Sequence, residues 1–151
     1  MLLANVFSGG LLQLLVAAAA VSAATTAIST TTIVSGADNH HFWPLVQLLK
    51  SIEEHEPQTP VLVYDLGMNQ LQRENIEHGF GAVTLRRFPY RDYPAHFNIR
   101  RNAGEYAWKP AIIHTVLEEK QGVVIWLDAG CKLVSDLGRF KQSVLDHGMH
   151  S

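Results

Sequence analysis

Apolar and polar positions recur along the chain with two different periods, and the switch between them outlines the elements. TTIVSGA (31–37) is a β-rich run closed by small residues, which predicts a first strand ending in a turn. HFWPLVQLLKSIEE (41–54) sets Trp43, Val46, Leu49 and then Ile52 or Glu53 at helical spacing. Pro44 fits the first turn of that helix, where no amide donor is missed. Pro57 and Pro60 stop it, and PVLVYDLG (60–67) predicts a second strand closed by Asp65 and Gly67. A polar helix over 69–77 turns Leu71 and Ile76 inward and is capped near Gly79. A third strand covers 82–86. The stretch 89–104 (PYRDYPAHFNIRRNAG) is irregular, aromatic and basic, too long for an idle connection. A helix over 106–119 gathers Ile112, Ile113, Val116 and Leu117 on one face. The fourth strand, 122–127, is apolar throughout and therefore buried on both sides. One more helix fits 136–147.

Strands that are solidly apolar and alternate with helices predict an α/β fold, a mostly parallel sheet covered on both faces. Such sheets bind ligands beyond the carboxyl ends of their strands, near a switch in strand order. The predicted ends are Ser35-Gly36, Asp65-Leu66, Arg86-Arg87 and Asp128-Ala129-Gly130, and two of these carry an acid. Either acid has an ordinary reading as turn former or helix cap. In SGADN (35–39) Gly36 supplies a bend, Asn39 is read as a helix cap and Asp38 is left open between cap and ligand. Arg86, Arg87 and Arg91 with Tyr90 and Tyr93 suit a sugar or phosphate surface, or else a packed loop. Trp43, Trp108 and Trp126 read as core and loop anchors.

Composition narrows the class. The 151 residues, 47% hydrophobic with a formal charge of -2, suffice for one domain and give no sign of a nucleic-acid partner. A single cysteine, Cys131, excludes an internal disulfide, and the eight histidines show no zinc-binding spacing. No charged side chain occurs before Lys50 except Asp38, and none at all over 1–32. The apolar run 14–21 with Val21-Ser22-Ala23 resembles a secretory signal peptide that lacks a basic n-region. A signal anchor over 11–28 is the alternative. Residues 1–30 are thus set apart from a domain over 31–151, and the predicted location is the ER or Golgi membrane, or outside the cell.

A lysine that opens a helix (YAWKPAIIHTVLEE), followed by a strand ending in an acid (VVIWLDAG), resembles the donor-binding half of GT-A nucleotide-sugar glycosyltransferases. The match is to glycosyltransferase-like proteins with a Tyr-Ala-Trp-Lys-Pro segment and a Trp-Leu/Met-Asp-Ala-Gly segment. It covers roughly residues 31–139, including SGADNHHF, VYDLGM, RRFPY and DYPAHF. The resemblance implies a strand order of 3-2-1-4 and transfer of a hexose from a UDP-type donor to a glycan, protein or lipid acceptor. It also implies a divalent ion, usually manganese, held by an Asp-x-Asp motif on the donor diphosphate. Here Asp128 matches the first acid and Gly130 stands in place of the second, which leaves two alternatives open: a weak metal site at Asp128, or a metal-independent variant in which Lys109 neutralises the diphosphate. Ser35, Gly36 and Asp38 fall where such enzymes seat the nucleoside, and Arg87 is a further candidate. About 20 residues follow Asp128, and His147 and His150 lie too near the end to serve as a further ligand. The sequence therefore reads as a partial GT-A domain. The rival is a non-catalytic secreted α/β binding module derived from one. A Rossmann cofactor domain is disfavoured, since no G-x-G-x-x-G follows the first strand.

Overall fold

All four strands predicted from residue 31 onward form, and they pair in parallel. The structure, a computed structural model, describes residues 2–4, 14–18, 30–120 and 122–147, the first two segments as backbone. The remainder of the predicted leader, and His150, lie outside the described residues. In chain order the elements are β1 (Leu2–Ala4), β2 (Leu14–Ala18), β3 (Thr31–Asp38), α1 (Phe42–His55), β4 (Val61–Gly67), α2 (Gln70–Gly79), β5 (Val83–Arg87), α3 (Trp108–Glu119), β6 (Val123–Leu127) and α4 (Gly138–His147). Three short 3-10 turns separate β5 from α3.

The parallel strands lie in the order β5-β4-β3-β6, which is 3-2-1-4 as expected. Side chains alternate between the two faces. Ile33, Ala37, Val61, Val63, Val123, Ile125 and Leu127 pack on one side with α1, Ile76 of α2 and Val144 of α4. Val34, Leu62, Tyr64, Leu66, Val124 and Trp126 pack on the other with α3 and the aromatic loop 88–99. Burial on both faces is the reason these strands read as unbroken apolar runs. The backbones of β1 and β2 extend the sheet beyond β6 as antiparallel strands, Leu14 facing Leu127 and Ala18 facing Val123. The sequence reading had set that segment apart from the fold. An uncharged, β-tolerant run can also satisfy the open backbone edge of an apolar strand.

Two inward assignments are corrected. Trp43 is 72% exposed, and Phe42, Leu45, Val46, Leu48, Leu49 and Ile52 form the buried face of α1 instead. Leu71 is likewise exposed, and Ile76 alone is buried in α2. The cap of α2 is a reciprocal pair, Asn69 accepting from the Gln72 amide while the Gln72 side chain accepts from the Asn69 amide.

Candidate functional site at the carboxyl edge of the sheet

β6 stops at Leu127, and the turn that follows is closed by the Cys131 amide donating to the Asp128 carbonyl, 2.8 Å. Ala129, Cys131 and Leu133 then dive into the α1-side core. Two side chains hold that descent, Ser51 of α1 and Glu56 at its C-cap. Ser51 Oγ accepts from the Leu133 amide at 3.0 Å, and Glu56 accepts from the Leu137 amide at 2.6 Å and from Lys141 and Thr59. Sequence reasoning missed both. A serine on an otherwise apolar buried helix stripe was the available signal for Ser51; Glu56, just past the helix end, had none. Burial pushes the Glu56 carboxyl up, and the hydrogen bonds of Lys141, Thr59 and Leu137 together outweigh it, so its pKa is held below the usual range.

The turn presents Asp128 at the switch point, where β6 lies beside β3 while the chain's next strand, β4, lies on the other side. Asp128 Oδ1 accepts a hydrogen bond from the Trp126 indole at 2.8 Å and forms an ion pair with Lys109 Nζ at 2.7 Å. Lys109 comes from the first turn of α3, and its ammonium also stands 5.6 Å from the centre of the Trp126 ring. The side chains are 15% exposed for Lys109 and 35% for Asp128, so the pair is reachable from solvent without being surrounded by it. A lysine beside the positive end of a helix is locally unfavourable. Ala107 offers no side-chain cap and the first turn holds no acid, so the carboxylate that offsets the lysine comes from the turn after β6.

An unusual turn aims α3 at this edge. All residues of Asn102–Tyr106 have positive φ, between 47° and 64°. The Trp108 indole donates to the Ala103 carbonyl at 3.0 Å and clips the turn to the start of the helix. The sequence reading began the helix at Tyr106; the left-handed run delays it to Trp108.

The other candidates separate. Gly36 belongs to this locus through packing: a Cβ there would lie 3.2 Å from Leu66 Cδ1 and 3.4 Å from Trp126 Cη2, so the glycine makes room for the indole. Ser35 does not: it lies inside β3 in register with Val63, fully buried on the same face as Ile33 and Ala37. The predicted turn at SGA is strand as far as Asp38, with an irregularity at Ala37/Asp38. Asp38 ends the strand and accepts from the His40 and His41 amides and from His41 Nδ1, the last at 2.6 Å. Burial raises its pKa, but the His41 bonds and the nearby histidine charges prevail and lower it. Asp38 thus pins the turn that enters α1, and Asn39 is not the cap read from the sequence, since the N-cap position is His41 with no side-chain cap bond. Asn39 instead links to α2, accepting from Asn69 through its side chain and from Gln72 through its carbonyl.

Asp65 is almost wholly buried and ties down its own turn through the Gly67 and Met68 amides. Arg87 sits on the edge strand, 72% exposed, with Nε 3.7 Å from Asp65 Oδ2. Three strand spacings, roughly 14 Å, separate it from β6. Arg86 is committed to Glu119, and Tyr90 and Tyr93 pack on Phe88. Burial pushes the Tyr90 phenol up to about 12, and its hydroxyl donates to the Leu66 carbonyl. Tyr90 and Tyr93 are thus packed into the loop, whereas Arg91 is exposed. Among the described residues nothing lies within 4 Å of where a Cβ on Gly130 would stand, so they do not dictate its lack of a side chain. Burial, with the Asp128 charge, pushes the Cys131 thiol up to about 11, which leaves it unreactive.

The residues present do not fit the manganese ion implied by the resemblance. Asp128 Oδ1 already holds an ammonium, position 130 is glycine, and among the described residues no three His, Cys, Asp or Glu side chains gather as a metal-holding group.

A family model described as "Protein of unknown function (DUF1647)" matches residues 10–114, a span that includes Lys109 and stops short of Asp128. No curated protein matches the chain. Among solved structures, the galactosyltransferase LgtC in complex with donor and acceptor sugar analogs is similar at a TM-score of 0.48 and 22% identity, over 72% of this chain and 41% of that one. The apo bifunctional glycosyltransferase WbbM is similar at a TM-score of 0.54 and 17% identity, over 85% of this chain and 23% of that one. The chain thus spans less than half the length of either. The fold is that of GT-A glycosyltransferases.

Proposed function

The chain belongs to the DUF1647 family, and we propose that its domain binds the diphosphate of a UDP-type nucleotide sugar at the carboxyl edge between β3 and β6, in the service of hexosyl transfer. One observation carries this reading: a solvent-reachable lysine from a helix N-terminus meets the strand-end acid at the switch point of a parallel sheet. In the transfer, the bond from the sugar C1 to the diphosphate oxygen breaks and a bond from C1 to an acceptor hydroxyl oxygen forms. The acceptor gives up its proton, and negative charge grows on the leaving diphosphate. The Lys109 ammonium opposes that charge, and the uncapped first turn of α3 adds the positive end of the helix dipole. The helix end is in place before the donor arrives, which is what makes such stabilisation effective. No step requires a metal at Asp128.

The acceptor belongs to the same proposal as a glycan, protein or lipid hydroxyl. So does delivery to the secretory pathway, which the uncharged leader supports; sequencing the amino terminus of protein recovered from a eukaryotic culture tests it. The described residues include no helix long and apolar enough to cross a membrane.

Calorimetric titration with UDP tests the donor site. Binding is expected to be indifferent to manganese and to weaken roughly tenfold or more in Lys109→Ala, the loss typical of a charge-assisted phosphate contact. Absence of binding at millimolar UDP contradicts the reading.

A further inference from the structure

From the geometry around Trp126 we infer that Asp128 is a displaceable counter-ion of Lys109, one that opposes diphosphate binding rather than supplying a ligand for it. The inference rests on the donor-site reading above and assigns Asp128 a role opposite to that of a metal-holding acid. Three features support it. First, Oδ1 is held twice, and the indole bond of 2.8 Å does not depend on the lysine, so the carboxylate keeps its place when the ammonium moves. Trp126 is itself immobilised, almost wholly buried with its ring against Gly36. Second, Asp128 is partly solvated, so it does not become a buried orphan charge once its partner leaves. Third, a diphosphate that engages Lys109 must bring like charge close to Asp128, because the two share a 2.7 Å contact. The acid thus keeps the lysine ordered in the empty site and weakens retention of the anion, which favours release of the spent diphosphate.

The test is titration of UDP, in EDTA, into the full chain and its Asp128→Asn, Lys109→Ala and doubly substituted forms. Asparagine retains an oxygen for the indole while removing the charge. Asp128→Asn is expected to bind UDP roughly two- to fivefold more tightly than the wild type, the range set by a partly exposed ion pair. The gain should vanish when Lys109 is also alanine. Should the asparagine variant unfold, Asp128→Ala removes the same charge and carries the same expectation. Weaker binding in a folded Asp128 variant overturns the inference and leaves the donor site standing, with the acid as a ligand in its own right. An unchanged affinity also overturns it. If the wild type does not bind, or Lys109→Ala binds as well as the wild type, the donor-site reading itself falls and the inference falls with it.

Discussion

The Ser35 hydroxyl is fully buried and has no hydrogen-bond partner among the described residues. An unsatisfied buried hydroxyl costs about 1–3 kcal/mol, so Ser35→Ala is expected to leave stability unchanged or raise it by about 1 kcal/mol. UDP affinity should not change, and denaturant melts with a parallel titration check both. Glu56 is the opposite case, a buried acid with every neighbour arranged to favour its charge. Its folded-state pKa is lowered from 4.5, so its stabilisation is complete above that value and disappears as pH falls through the folded pKa. Glu56→Gln should therefore cost about 2 kcal/mol at neutral pH, and the difference from wild type should narrow in acid melts. Asp128 could be singled out from sequence because a strand end has a known direction, and Lys109 through the resemblance carried by its Tyr-Ala-Trp-Lys-Pro segment. Trp43 and Ser35 were misread for local reasons. Adjacent Phe42 and Trp43 offer two helical phases one residue apart, and only packing selects between them. Small residues such as Ser35-Gly36-Ala37 serve equally in a turn and in a crowded strand.

Among the elements, the run Asn102–Tyr106 is the least legible. Left-handed conformation costs roughly 1–2 kcal/mol for each residue with a Cβ, and nothing in RNAGEY announces five in succession. Gly104 is the one member with a visible reason. A Cβ there would meet the Phe97 carbonyl oxygen at 2.4 Å in addition to the φ of +64°. Gly104→Ala is expected to destabilise the fold by about 2 kcal/mol or more and to weaken UDP binding by misplacing α3. Gly130→Ala, with open space around it, should do neither; thermal melts of the pair separate strain at one site from tolerance at the other. The regular elements were far easier to read, since an apolar strand buried on both faces leaves an unbroken signature.

For the molecule as a whole, a parallel sheet was legible because strands alternate with helices, whereas its order β5-β4-β3-β6 was expected only through the resemblance. The antiparallel addition of β1 and β2 was not, because an uncharged apolar segment fits an export signal and a sheet edge equally well. In the structure β2 pairs with all of Val123–Leu127, so removing residues 1–29 uncovers a strand of five apolar residues. The shortened chain is expected to self-associate through that edge, as light scattering at rising concentration would report. A shortened chain that stays monomeric and equally stable would show that β6 does not depend on this partner.

The most direct test of the donor-site account is an amide-resolved NMR titration of the full chain with UDP. The account predicts that perturbations concentrate at two places, the start of α3 around Lys109 and the turn after β6 from Asp128 to Cys131, together with the Trp126 indole proton. Perturbations confined to β5 and the Arg87 end of the sheet, or none at millimolar UDP, would contradict it.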